Sequence, residues 1–348
     1  MGVFYVTGNV KGSGKTSLAS ALAQHSLQSG ISTALLKPVS VIDEENDGSG
    51  TEKDSVFYAQ LDHGISRPQS HPMVVSINEL TENPKIVETA IAEVLNCTNE
   101  STNVIVEGVD WFFPDGQVNS AAIAISQTLR PKIVLVLRYR NDFDLSALVG
   151  SVRQIGDDLL GVVINGVTQH RRHYVLSSIV PAFASSGVKV LGAIPEDRRM
   201  LAPSVNDIAA HLNAEILLSP ENCDELVEHF MVGGWFLDQG AYVFDRREHK
   251  AVVVRADRPD LQMAALQSSA VCLILTGGQN PIQYITYHAD QLGVPLLSVS
   301  ENTIEIMEKL ETLNQQGVTY NLRKTERFGE LIDEFLSPRA FESILQSY

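Results

Sequence analysis

The stretch GVFYVTGNVKGSGKTSLASALA sets Lys15 and Thr16 directly after the run Gly8-Asn9-Val10-Lys11-Gly12-Ser13-Gly14. Backbone N–H groups on such a turn, with the positive end of a following helix dipole, bind an anion, most often a nucleotide phosphate. In that chemistry the Lys15 ammonium reaches the β- and γ-phosphates, and the Thr16 hydroxyl ligates Mg2+. The spacing is unusual. A standard P-loop, G-x-x-x-x-G-K-[ST], needs glycine at position 9; here that residue is Asn9, and the glycine lies one residue earlier, at Gly8. A plain glycine turn between strand and helix is the alternative. A short apolar strand, G-x-G-K-T and an amphipathic helix in that order favour the phosphate site, with Gly8, Gly12, Ser13, Gly14, Lys15, Thr16 and Ser17 as its cofactor-binding residues.

Further charged groups stand at strand ends. Lys37, in LLKPVS, closes the second apolar run and is expected to face the phosphates, because strand C-termini of a parallel sheet open into the ligand crevice. An exposed strand end is the plainer alternative. Glu107 follows NVIV, where a carboxylate is costly unless it meets a cation or a water held by one. Asp54, in GTEKDSVFYAQL, begins a helical stretch and reads either as an N-cap or as a metal ligand. Thr16, Asp54 and Glu107 form the candidate Mg2+ site, and Lys15 with Lys37 the candidate catalytic pair. Asn165, in GVVINGV, ends another strand; its amide either pairs with a nucleotide base or caps a turn.

The elements that position these residues are legible as β/α units. GVFYVT, TALLKPV, NVIVEGV, KIVLVLRY, LLGVVING and KVLGAIP are rich in Val, Ile and Leu on both faces, as central parallel strands are. SLASALAQHSLQSG and PKIVETAIAEVLNC carry apolar residues at helical spacing, and Gly30 is placed to end the first. The expected fold is α/β: a mostly parallel sheet covered by helices, then a smaller α/β domain. Near residue 215 the pattern changes, giving expected domains over 1–215 and 216–348. In the second, Asp257-Arg258-Pro259-Asp260 and Thr276-Gly277-Gly278 each follow an apolar strand. The glycine pair either presents N–H groups to a ligand or permits a tight turn.

Composition narrows the classes. The 348 residues are 44% hydrophobic and 20% charged with a net charge of −16, a folded chain whose field repels nucleic acid and anionic lipid. No run of about 18 apolar residues offers a membrane span. The first strand runs straight into the glycine loop, so a cytoplasmic chain beginning here is expected. Cys97, Cys223 and Cys272 fit no disulfide or zinc spacing, and Cys272, in AVCLILTGG, is expected to be a buried thiol.

On these residues the first ~215 positions resemble the dethiobiotin synthetase-like P-loop group, which includes the ATP-binding domains of cobyrinic acid a,c-diamide synthases. The group has V-T-G, five residues and then G-K-T, the spacing of Val6-Thr7-Gly8 and Gly14-Lys15-Thr16; Lys37-Pro38-Val39, Asp54 and Val106-Glu107-Gly108 match its later motifs. The resemblance implies ATP with Mg2+, a lysine facing ATP and substrate, and two Mg2+-ligating carboxylates. The second unit resembles a DRTGG domain, through D-R-x-D, Leu275-Thr276-Gly277-Gly278 and Gly293-Val294-Pro295. This pair forms the N-terminal regulatory part of long phosphate acetyltransferases, implying a homo-oligomer. Val109-Asp110-Trp111-Phe112 replaces the family's small turn, and Asn9 to Ser13 lack its substrate-side groups. No acetyltransferase or glutamine amidotransferase domain is expected. Two functions follow. One is an ATP-dependent regulatory protein, with slow hydrolysis at most, acting on the DRTGG domain or on an acyl-phosphate enzyme in trans. The other is an ATP-dependent ligase activating a carboxylate, which should line the space opposite Lys37 with polar groups; Trp111, Phe112 and Phe113 instead suggest an apolar wall or interface.

Overall fold

The computed structural model describes residues 2–42, 57–58, 61, 73–76, 79, 82–83, 103–112, 116–142, 144–234, 240–313 and 320–337. The apolar runs form β1 (Val3–Gly8), β2 (Thr33–Leu36), β5 (Asn103–Glu107), β6 (Lys132–Arg138), β7 (Leu159–Val167) and β8 (Val190–Pro195), joined in the order β2-β5-β1-β6-β7-β8 with every pairing parallel. β3 (Val39–Ile42) and β4 (Met73–Ser76) make a separate parallel pair. Because side chains alternate across the sheet, Tyr5, Val104, Val106, Leu135 and Leu137 pack into one apolar cluster, while Phe4, Val6, Ile105, Val134 and Val136 are equally buried. A sheet covered on both faces selects the continuous β-branched runs seen in the sequence.

Helix α1 (Lys15–Gln28) follows β1. Its Ser-Leu-Ala-Ser-Ala-Leu-Ala start is buried on almost every side, since small residues let the helix lie close to the sheet. It ends where Gly30 takes φ +74, with the Ile31 and Gly30 N–H groups donating to the Ser26 and Leu27 carbonyls at 2.9 Å each. From β1 the chain steps out to β2, then returns to β5 beside β1 and crosses to β6 on the other side. The sheet order therefore reverses at β1, and the crevice at the carboxyl ends of β1, β5 and β6 is where an open α/β sheet takes a ligand.

The chain divides into two compact units, 1–196 with 325–348, and 197–324. This differs at both ends from a division at residue 215. Helix α2 (Val205–Leu212) is capped by Ser204 and Asp207 in a reciprocal box, and its buried face (Val205, Ile208, Ala209, Leu212) packs with Cys223, Val253, Ile274 and Leu297 of the second unit. At the other end, the last part of helix α6 (Leu322–Phe335) and its extension belong to the first unit: Leu336 bridges Gly192, and the Ser337 N–H donates to the Leu191 carbonyl at 3.2 Å. A Cβ on Gly192 would lie 2.5 Å from the Phe335 carbonyl, so glycine is what lets this segment cover the exposed edge of β8.

The second unit holds β10 (His229–Gly233), β11 (Lys250–Arg255), β12 (Cys272–Thr276) and β13 (Leu296–Ser298) in parallel, with β9 (Glu215–Leu218) antiparallel on β13. Helices α3 (Pro259–Gln267) and α4 (Gln283–Leu292) cover one face, and α2 with α5 (Thr303–Leu313) the other. Cys272 is fully buried, and burial pushes its thiol far up; Cys97 lies outside the described residues. Among the described residues no helix is long and apolar enough to cross a membrane.

Candidate functional site

The glycine loop turns at the carboxyl end of β1, and two buried asparagines hold it there. The Asn9 N–H donates to the Val136 carbonyl at 3.2 Å, and its side-chain oxygen accepts from the Arg138 N–H at 2.9 Å. The side chain thus carries the β1–β6 ladder one rung further while the backbone turns away. That explains the departure from the standard motif: a glycine at position 9 would leave the Arg138 N–H without this partner. Asn165 comes from β7, and its amide donates to the Ser13 carbonyl at 2.8 Å. Gly14, at φ +104, lies so close to that amide that a Cβ would collide with it. Asn165 is therefore a tether of the loop, in place of the turn cap weighed from its sequence position.

Of the loop's expected ligand-binding residues, Gly12 is exposed at φ +74, and Gly8 is a cradle that a Cβ would fill, against the Ser13 hydroxyl. Ser13 points inward. Its N–H donates to the Val10 carbonyl at 3.1 Å and is spent on the turn, while its buried hydroxyl has no hydrogen-bond partner among the described residues. Lys15, Thr16 and Ser17 open α1, whose start has no side-chain cap and no acidic residue in its first turn; the first intrahelical bond runs from the Leu18 N–H to Gly14. The N–H groups before it and the helix dipole face the crevice, the arrangement that suits an anion.

Four charged side chains converge beside this helix start. The Lys37 ammonium lies 3.2 Å from Glu107 Oε1, and the Thr16 hydroxyl donates to the same oxygen at 3.0 Å. The Tyr58 hydroxyl donates to Glu107 Oε2, and Lys15 pairs with Asp110. Glu107 is buried. Burial alone would push its carboxyl up; Lys37, Tyr58, Lys15 and Thr16 together outweigh that and hold it below the ordinary carboxylate range. Among the described residues each of the two lysines meets a carboxylate, Lys37 with Glu107 and Lys15 with Asp110.

The turn after β5 is fixed to β1. The Val109 N–H donates to the Tyr5 hydroxyl at 3.1 Å, the Thr7 hydroxyl to the Val109 carbonyl at 2.6 Å, and the Trp111 N–H to the Gly8 carbonyl at 2.7 Å. Trp111 and Phe112 are buried in the first unit's core. They form no wall for a ligand, contrary to the reading of that stretch as an apolar surface; Phe113 lies outside the described residues. Their burial turns Asp110 toward the loop lysine.

The donor set agrees with Mg2+, since Thr16 and Glu107 offer adjacent hard oxygens and the ion takes one or two protein ligands beside phosphate and water. Asp54 lies outside the described residues, among which no cluster of three or more His, Cys, Asp or Glu forms a metal site. Tyr58 escaped the sequence reading, and Asp110 and Asn9 appeared there only as departures from the family pattern, without the contacts they make. Their signals were faint: a carboxylate three residues after Glu107, a tyrosine one helical turn after Asp54, and an amide where the motif wants glycine. In the second unit, the Gly277 and Gly278 N–H groups donate to the Glu301 and Val299 carbonyls at 3.0 and 2.9 Å. They lock a turn rather than face a ligand.

Residues 3–204, more than half of the chain, match the family model of an AAA domain, and residues 207–313 match the DRTGG domain. A phosphate acetyltransferase of Haemophilus influenzae is 23% identical over 377 residues, covering 93% of this chain and 50% of that protein. One from Salmonella typhimurium is 25% identical over 329 residues, covering 80% and 44%. The chain spans about half the length of the curated relatives it matches. Among solved structures, the CBS and DRTGG domains of the regulatory region of Clostridium perfringens pyrophosphatase, complexed with the activator diadenosine tetraphosphate, align with 36% of this chain and 54% of that one, at 18% identity and TM-score 0.30. With a P-loop at the head of a parallel sheet and a second, smaller α/β unit after it, the chain belongs to the AAA domain family over residues 3–204, carries a DRTGG domain, and is homologous to the N-terminal part of phosphate acetyltransferases.

Proposed function

We propose that the chain is a regulatory nucleotide-binding protein that takes ATP with Mg2+ on the Gly8–Thr16 loop. The observation that carries this is the convergence of Lys15, Thr16, Lys37 and Glu107 on the uncapped start of α1. The first-turn N–H groups and Lys15 would hold the β- and γ-phosphates, and Lys37 the terminal one, by charge and position. Thr16 and Glu107 would hold the metal, with Asp54 as a further carboxylate. When bound, the metal neutralises phosphate charge. Asn9 ties the start of the loop to β6, and Asn165 engages the Ser13 carbonyl, so that both hold the loop in place. With a metal held there, Glu107 would give up its Thr16 and Lys37 contacts, so the ends of β2 and β5 would sense whether the site is filled.

Loops held by a terminal phosphate relax when it leaves, and that change would reach the DRTGG domain, or an acyl-phosphate enzyme acting in trans, from a homo-oligomer of this chain. The regulatory role is favoured over a carboxylate-activating ligase because Asp110, held on Lys15, places a negative charge where a carboxylate substrate would have to approach. Titration calorimetry with ATP and Mg2+ tests the reading. Wild type should bind, and Lys15→Ala should bind at least tenfold more weakly. Hydrolysis should be slow and indifferent to added carboxylates and amines. No binding by the wild type overturns the proposal, and stimulation by a carboxylate or amine replaces it with the ligase.

A further inference from the structure

The Lys15–Asp110 pair places an acid of this chain on the lysine that a terminal phosphate must engage. Asp110 cannot retreat with its backbone. Its peptide neighbours are fixed by the Val109 N–H to Tyr5 (3.1 Å), the Thr7 hydroxyl to the Val109 carbonyl (2.6 Å) and the Trp111 N–H to Gly8 (2.7 Å). Its own carbonyl accepts from the Asn119 amide at 2.9 Å, and Asn119 in turn caps the helix Ser120–Leu129. Trp111 and Phe112, buried on the next two positions, anchor the turn from the other side. Only side-chain rotation can free Lys15, and the carboxylate then stays near the place it left.

Resting on the nucleotide reading, we infer that Asp110 is a specificity-determining residue of the site: a built-in carboxylate that occupies Lys15 in the nucleotide-free protein and selects against the terminal phosphate of a triphosphate. Two effects add. A nucleotide must displace Asp110 from Lys15, which weakens every phosphate ligand. The charge that remains nearby repels the ligand in proportion to the negative charge placed at the tip of Lys15, and the γ-phosphate puts most there. The diphosphate is handicapped less than the triphosphate. The pair is partly open to water, with side chains 12% and 27% exposed, so the repulsion is that of a semi-exposed contact. In a regulatory protein this narrows the preference for ATP over ADP and makes the site report the ratio of the two.

The test is calorimetry on the full chain with Mg2+-ATP and Mg2+-ADP, using wild type, Asp110→Asn and Asp110→Ala. Thermal melts show that each is folded. Asp110→Asn keeps the shape and an acceptor for Lys15 while removing the charge. It should bind ATP about tenfold more tightly than wild type and ADP only a few-fold more tightly, and Asp110→Ala should follow the same order. Wild type that binds nucleotide, with an ATP-to-ADP preference that neither variant changes, overturns the inference and leaves the nucleotide reading intact. Weakened ATP binding in both variants also overturns it, by placing Asp110 among the groups that hold the ligand. Binding by a variant but not by wild type overturns the nucleotide reading of the native chain, and the inference falls with it. Binding by none of the three removes both the inference and the reading beneath it.

Discussion

Replacing Asn9 with glycine would restore the standard P-loop spacing, and the structure predicts that this damages the protein. Asn9 is buried; its side-chain oxygen is the partner of the Arg138 N–H at 2.9 Å, on a rung of the β1–β6 ladder that backbone alone does not reach. Leaving a partly buried N–H unpaired costs about 1–2 kcal/mol. Asn9 does not adopt positive φ, so glycine adds only unfolded-state freedom, roughly 0.5–1 kcal/mol more. The sum is about 1.5–3 kcal/mol, which for a unit of this size corresponds to a fall in Tm of roughly 3–12 °C. Thermal and urea melts followed by circular dichroism read the change, and Asn9→Ala separates the two contributions, because it loses the hydrogen bond without the glycine term. An Asn9→Gly protein as stable as wild type, or more so, would refute the reasoning. So would equal loss in a Val10→Gly control, since Val10 makes no such side-chain bond.

Two further outcomes follow from the same site. Glu107 has a folded-state pKa lowered from its ordinary value, so it contributes stability that is present above about pH 4.5 and lost as pH falls through the lowered value. Glu107→Gln should flatten that acid limb in melts taken between pH 3 and 6, and an unchanged limb would show that Glu107 is not held by Lys37, Tyr58 and Thr16. Gly108→Ala would drive a Cβ into the fully buried ring of Tyr5. It should cost about 3 kcal/mol or more in urea unfolding, whereas Gly116→Ala, where a Cβ meets open space at φ +84, should cost only the backbone strain of about 1 kcal/mol.

Much of the first unit was legible because its signals are local. Continuous Val/Ile/Leu runs specify buried parallel strands, and all six expected runs enter the main sheet. The G-x-G-K-T turn needs only neighbours in sequence to place Lys15 and Thr16 on a helix start. Lys37 and Glu107 could be assigned to the same crevice because strand C-termini in such a sheet share one edge. The helical stretch 84–97 and Asp54 fall outside the described residues, and the structure adds nothing about them.

What stayed hidden depends on partners far apart in the chain. Asn165 serves Ser13, 152 residues away, and Asn9 serves Arg138, 129 residues away; no spacing rule links them. The aromatic pair Trp111 and Phe112 could have faced solvent or core, and only the packing of the first unit turned both inward. The unit boundaries shifted for a related reason: an amphipathic helix shows that it has an apolar face but not which sheet will cover it, and α2 and the end of α6 found theirs across residue 215 and residue 325. By itself, then, the sequence determined the fold class, the phosphate loop and the strand ends that carry charge, since these are written in periods of two and 3.6 residues and in glycine placement. The tertiary structure alone decided which charges neutralise one another, Lys37 with Glu107 and Lys15 with Asp110, because an ion pair is set by distance in space, which the chain's order does not encode.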